Sequence, residues 1–231
     1  VVVAGSANGS IANNKWSGGT DAFISKWSED GKNIWNRQAG TSETDVAIDA
    51  TVDKEGSVFV TGYTEGSFNS YVNSGKKDIF LAKWDKDGSH LWTRQWGSSE
   101  NDTGNGVAVD NNGNIFITGT TSGIMNTEGV AGMTDIFISG FMNDGSPDWT
   151  IQWGSSSNDE SYDIAVDNNG DIIITGETFG DLDGASNGGE GCTMQIYGGP
   201  GSGTTPHYTS INCSDGFIAK FSKNGKKIWS R

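Results

Sequence analysis

Proline is scarce, with 3 residues, and cysteine and histidine number only 2 each. Arginine occurs just three times, as Arg37, Arg94 and Arg231. Each shortage excludes a class of protein. Few prolines beside 35 glycines argue against disorder and for many tight turns between short β-prone runs. With 29 acidic residues against 15 basic ones, a net charge of −14, the chain lacks the basic footprint that nucleic acid or an anionic membrane surface demands. The acidic surface suits solubility and leaves cation binding open. No run of 18 apolar residues occurs, so no helical membrane span is expected. No signal peptide is visible, and an opening "VVVAGS" without Met reads as a processed or truncated start. Heptads and long amphipathic helical patterns are missing as well.

Catalytic signatures are equally thin. His90 and His207 lie far apart in sequence, and His90 sits beside a hairpin turn, which argues against a His metal site or a triad. Neither a G-x-S-x-G nucleophile elbow nor a phosphate loop is present. The sialidase Asp-box is unmatched, because Gly31 to Trp35 spans four positions rather than three. Carboxylate pairs for glycoside cleavage stay open, since 29 acids offer many combinations. The sequons at Asn8, Asn101 and Asn212 are read as chance matches.

What is present is aromatic bulk and repetition. Ten Phe, nine Trp and five Tyr supply core material. The segment "VDNNGNIFITGTT" at 109–121 has counterparts 57 residues away on either side, "VDKEGSVFVTGYT" and "VDNNGDIIITGET". Trp35, Trp92 and Trp149 keep the spacing of 57, and Trp229 follows after 80. Asp21, Asp78, Asp135 and Asp215 follow the same offsets, and Gly5, Gly62, Gly119 and Gly176 run at 57 throughout. The last unit therefore carries 23 extra residues after Gly176.

Each unit holds four strand-like runs rich in Val, Ile, Phe and Trp. In "DIFLAKW", Ile79 and Leu81 point one way while Phe80, Ala82 and Trp84 point the other. A sheet apolar on both faces has to be sandwiched between neighbours. Four short strands per repeat, stacked sheet on sheet, predict an all-β β-propeller with four blades visible. The expected blades are 1–44, 45–101, 102–158 and 159–231, the last with an irregular insertion at about 181–213. "DKEGS", "DNNGN" and "DNNGD" predict hairpins with φ > 0 at Gly56, Gly113 and Gly170. The chain opens on the second strand of a blade and closes on a fourth, so the first blade lacks its inner strand. That predicts either a segment of a larger propeller or completion by another chain.

The composite "D-x-x-G-N-I-F-I-T-G … D-I-F-I-x-K-W-x-x-D-G-x-x-x-W-T-x-Q-W-G" resembles the bacterial beta-propeller repeat known as SBBP. The resemblance covers nearly the whole chain apart from the insertion. It implies a surface or secreted protein and leaves activity open. A narrower similarity is to the tryptophan-docking motif of quinoprotein dehydrogenase propellers, in "AKWDKDGSHLW" and "AKFSKNGKKIW". Ala82 and Ala219, Gly88 and Gly225, and Trp92 and Trp229 take matching positions. That resemblance implies a blade-locking role for the tryptophans. The adjacent cysteine pair of many quinone-binding members is absent, since Cys192 and Cys213 lie 21 apart.

Strand direction puts the tight hairpins on one face and the B–C and D–A connections on the other. The B–C loops, 6–20, 63–77, 120–134 and 177–214, are long and unlike one another, as binding surfaces on rigid scaffolds usually are. Trp16, Phe68, Tyr71, Phe179, Tyr197 and Tyr208 are their exposed-looking aromatics, suited to sugar stacking or to anchoring a protein, with local packing as the plainer alternative. A Cys192–Cys213 disulfide stapling the largest loop is expected, and with it an oxidising, extracellular or cell-surface location, the periplasm being the alternative. Asp45, Asp102 and Asp159 recur in the D–A crossings "GTSETD", "GSSEND" and "GSSSND". They either satisfy turn N–H groups or form a carboxylate ring able to hold Ca²⁺, and Asp181 and Asp183 offer a second weak Ca²⁺ site. No cofactor is otherwise indicated. The leading expectation is a non-enzymatic scaffold for a protein or glycan partner. A secreted enzyme domain, hydrolase or quinoprotein-like, and a building block of a larger assembly are the alternatives.

Overall fold

The computed structural model describes residues 1–125, 132–184 and 213–231 in full, and 193–196 and 207–210 as strand backbone. Three four-stranded antiparallel sheets follow one another along the chain. The first is β4 (Asp45–Val52), β5 (Val58–Thr64), β6 (Asp78–Trp84) and β7 (His90–Trp96). The second is β8 (Asp102–Val109), β9 (Ile115–Thr121), β10 (Asp135–Phe141) and β11 (Pro147–Trp153). The third runs β12 (Asp159–Val166), β13 (Ile172–Thr178), β16 (Asp215–Phe221) and β17 (Lys227–Ser230). Ahead of them lies a three-stranded sheet, β1 (Val2–Ala7), β2 (Asp21–Trp27) and β3 (Asn33–Ala39), without an inner strand. The insertion that reads as irregular in the sequence contains a β-hairpin, β14 (Thr193–Ile196) paired with β15 (His207–Ser210). No helix among the described residues is long and apolar enough to cross a membrane.

All seven residues of β6 and of β10 are buried, which requires a sheet against each face. Three hydrophobic clusters fill the gaps between successive sheets. Ile24, Trp35, Val60, Phe80 and Trp84 join blades 1 and 2; Phe59, Leu81, Ile117 and Phe137 join blades 2 and 3; and Phe116, Ile138, Ile174 and Phe217 join blades 3 and 4. This is a β-propeller arrangement of blades stacked face to face, and it does not close into a ring.

In blades 2 to 4 the repeated glycine of the second strand has a specific cause. Each inner strand carries a β-bulge, between Ala47 and Asp49, Gly104 and Gly106, and Ser161 and Asp163. The bulge pushes a backbone carbonyl toward the second strand. A Cβ on Gly62 would lie 1.8 Å from the Val46 carbonyl, and one on Gly119 or Gly176 would lie 1.9 Å from that of Thr103 or Glu160. Only glycine fits. At the hairpins, Gly56, Gly113 and Gly170 adopt φ of +86°, +85° and +83°, as their turn sequences predict. Asp53, Asp110 and Asp167 brace these turns by accepting backbone N–H bonds of 2.8–3.0 Å from Ser57, Asn114 and Asp171.

Candidate functional site

The loop face is built on a root repeated in blades 1 to 3. In blade 2, Gln95 on β7 donates from Nε2 to the Gly66 carbonyl and to Asp78 Oδ2, both at 3.0 Å, and its Oε1 accepts the Phe68 N–H at 2.8 Å. Gln38 makes the corresponding bonds to Gly9 O (3.0 Å), Asp21 Oδ2 (3.2 Å) and the Ile11 N–H (2.9 Å). Gln152 does the same with Gly123 O (3.1 Å), Asp135 Oδ2 (2.8 Å) and the Met125 N–H (3.1 Å). In blades 1 and 2 the aspartate also clamps the far end of the loop: Asp21 and Asp78 accept from the Ser17 and Ser74 N–H groups at 2.9 Å. A glutamine–aspartate pair thus grips both ends of a B–C loop and leaves its middle free to vary. The sequence reading missed this root. Its signal was the "RQAG", "RQWG" and "IQWG" repetition, in which a glutamine recurs where a solvent-facing strand residue would need no fixed identity.

The crossing aspartates each cap the turn that leads into an inner strand. Asp45, Asp102 and Asp159 are fully buried. Each accepts the N–H of the residue four positions earlier, Thr41, Ser98 or Ser155, at 2.5–2.6 Å, and the hydroxyl of the same residue. Burial pushes the carboxyls of Asp45 and Asp102 above their ordinary range, against the lowering effect of these hydrogen bonds. Neighbouring Asp21 and Asp78 add a smaller push in the same direction. Among the described residues no group of three or more His, Cys, Asp or Glu is placed to hold a metal ion. Asp183 is likewise an anchor: it pairs with Lys227 and accepts from Ser230 Oγ at 2.6 Å and Trp153 Nε1 at 3.1 Å. Its carboxyl is held below the usual range by these partners, although burial works the other way. Asp181 is exposed and contributes to no such group.

The loop aromatics divide. Phe68 corrects the expectation of exposure: it is buried in the core, its ring 5.4 Å from Phe80, because the Gln95 bond to its N–H draws that part of the loop inward. Trp16 is 45% exposed, with its indole N–H donated to the Gly19 carbonyl at 3.2 Å. Tyr71 and Phe179 are half-buried. Tyr197 and Cys192 lie outside the described residues, as does the side chain of Tyr208, so the Cys192–Cys213 pairing does too.

Two grooves open between blades beside these loops. One, of about 380 Å³, lies between blades 1 and 2, with Lys15, Arg37, Trp84 and His90 in its walls. The other, of about 260 Å³, lies between blades 2 and 3 and is lined by Tyr71, Arg94, Trp96, Phe141 and Pro147. Trp96 and Phe141 pack at 4.8 Å in its floor. Two of the three arginines of an acidic chain thus stand in grooves walled by aromatic rings. Burial lowers the affinity of His90 for a proton, and its Nε2 lies 2.8 Å from Thr93 Oγ1.

Comparison with known proteins agrees with this architecture. Residues 91–124 match the SBBP family, described as a beta-propeller repeat. The matched stretch runs from the fourth strand of blade 2 to the second strand of blade 3. A stretch of 138 residues, 56% of the chain, is 27% identical to the regulatory protein FlaEY of Caulobacter vibrioides. Over 93% of its length the chain is 25% identical to the uncharacterized WD repeat-containing protein L264 of Acanthamoeba polyphaga mimivirus. It spans only 14% and 18% of the lengths of these relatives. A protein of unknown function from Bacteroides caccae aligns with TM-score 0.40 and 9% identity, over 92% of this chain and 77% of the other.

Proposed function

We propose that this β-propeller is a non-catalytic, extracellular or cell-surface scaffold that binds a protein or glycan partner through its B–C loops and the grooves beside them. The observation that carries this reading is the glutamine–aspartate root. It holds loops of unrelated sequence at the same place on successive blades, so scaffold and contact surface are separated. The groove between blades 2 and 3 supplies ring surfaces in Tyr71 and Trp96 beside the Arg94 guanidinium, the combination that sugars and acidic peptide segments engage. One relative is described as a regulatory protein, a role compatible with binding. The test is a glycan array together with surface-protein capture, using the chain and a variant in which residues 69–73 become a Gly/Ser linker while Gln95 and Asp78 stay. The expected result is loss of roughly tenfold or more in affinity with an unchanged unfolding midpoint. Equal binding by chain and variant would overturn the role of the loop face.

A further inference from the structure

The same place beside the fourth strands is built at two successive blade junctions, once filled and once open. At the junction of blades 3 and 4 the chain fills it with its own loop. Leu182 is buried in the core between these blades. Asp183, next to it, turns its carboxylate onto three groups: the Lys227 ammonium, the Ser230 hydroxyl at 2.6 Å and the Trp153 indole N–H at 3.1 Å. The Trp153 ring packs against Phe221 at 5.5 Å.

The repeat offsets carry these residues back to the junction of blades 2 and 3. Trp153 becomes Trp96, Phe221 becomes Phe141, Lys227 becomes Pro147 and Ser230 becomes Thr150, and all four line the groove of about 260 Å³. Met125 replaces Leu182 and packs against the same kind of core cluster. Where Asp183 follows Leu182, the sequence places Asn126, which lies outside the described residues. The donors remain. Trp96 Nε1 is buried and has no hydrogen-bond partner. The positive charge remains as well, on a different strand position: Lys227 has given way to Pro147, but Ile151 has given way to Arg94. Three N–H groups of Arg94 donate to the carbonyls of Thr93, Asp144 and Gly145, and it makes no ion pair among the described residues. A buried donor without an acceptor and a guanidinium without a counter-ion are both satisfied by one kind of group, a carboxylate.

We infer that the groove between blades 2 and 3 takes a carboxylate side chain from an acidic peptide segment of a partner protein, held by the Trp96 indole N–H and Arg94 as Asp183 is held by Trp153 and Lys227. The inference rests on the groove reading above and narrows its ligand to an acidic peptide. The probe is an end-blocked peptide copying residues 180–184, Gly-Asp-Leu-Asp-Gly, titrated to ~10 mM into the ¹⁵N-labelled chain. The indole signal of Trp96, assigned by its loss in Trp96→Phe, should move to saturation, while that of Trp153 stays in place because Asp183 already holds it. Replacing the second aspartate of the peptide by asparagine should weaken binding by roughly tenfold. Trp96→Phe, which keeps a ring against Phe141 and removes the donor, should weaken capture of a fluorescent copy of the peptide by a similar factor. An unmoved Trp96 signal, or equal binding of the asparagine peptide, would overturn the inference. So would a shift of the Trp96 signal on Glu128→Gln without peptide, which would make an acid of this chain the occupant. Capture of a glycan or protein by the loop face with Trp96 unmoved would sink this inference alone and leave the broader reading standing.

Discussion

The tryptophan that lies against the hairpin glycine of the next blade, Trp35 on Gly88, gives a prediction in which the same substitution is made at two equivalent sites. Trp35 and Trp229 occupy the same position in their blades, but only Trp35 packs against another blade among the described residues. Trp35 is 6% exposed and bonds Lys86 O at 3.1 Å. It also has the Arg37 guanidinium 5.5 Å from its ring centre. A tryptophan buries about 150–250 Å², worth ~4–6 kcal/mol at ~25 cal/mol per Å². Measured Trp-to-Ala losses in cores run at about 3–5 kcal/mol. Trp35→Ala should therefore cost about 4 kcal/mol. In the 231-residue chain, Trp229→Ala should cost about 1 kcal/mol or less, since the ring is only half-buried. Urea unfolding gives both values. Because stacked repeats couple only to their neighbours, hydrogen exchange should also show blade 1 amides losing protection ahead of those in blades 2 to 4. Equal costs for the two substitutions would refute the reasoning, because the stabilisation would then reside within each blade and not between blades.

The buried crossing carboxylates predict a pH dependence of definite sign. Asp45 and Asp102 have folded-state values raised above 3.8, so their contribution to stability is fully present below that pH and is lost as pH rises through the raised values. Asp102→Asn, which imitates the protonated group, should gain stability relative to the parent between pH 3.5 and pH 7 in urea midpoints, and a gap that is flat or shrinks would contradict this. Asp167, lowered chiefly by its bond to Lys220, acts in the opposite sense and loses its contribution as pH falls. In the insertion, peptide mapping without reductant should recover Cys192 linked to Cys213, whereas free thiols would remove the main support for an exterior location.

What was legible in the sequence was local or periodic. The strands, the hairpin glycines and the blade count follow from a 57-residue period and from runs apolar on both faces, such as Ile79 to Trp84. What was hidden depends on contacts between distant segments. Phe68 looks like a loop aromatic, and only the Gln95 bond 27 residues away turns it inward. Arg37 and Arg94 look like surface charges until the hairpins of the next blades, 51 residues on, supply the carbonyls they hold. Asp45, Asp102 and Asp159 carry the residue type of a cation site, and only the fold shows that each also accepts a turn N–H from four residues earlier.

The bulge at each inner strand has an evolutionary consequence. With a carbonyl pressed to within 1.8–1.9 Å of where a side chain would begin, Gly62, Gly119 and Gly176 admit no replacement at all. Copies of this unit can therefore be aligned on that one silent position even where their B–C loops share nothing, because the constraint comes from the backbone and not from any side chain.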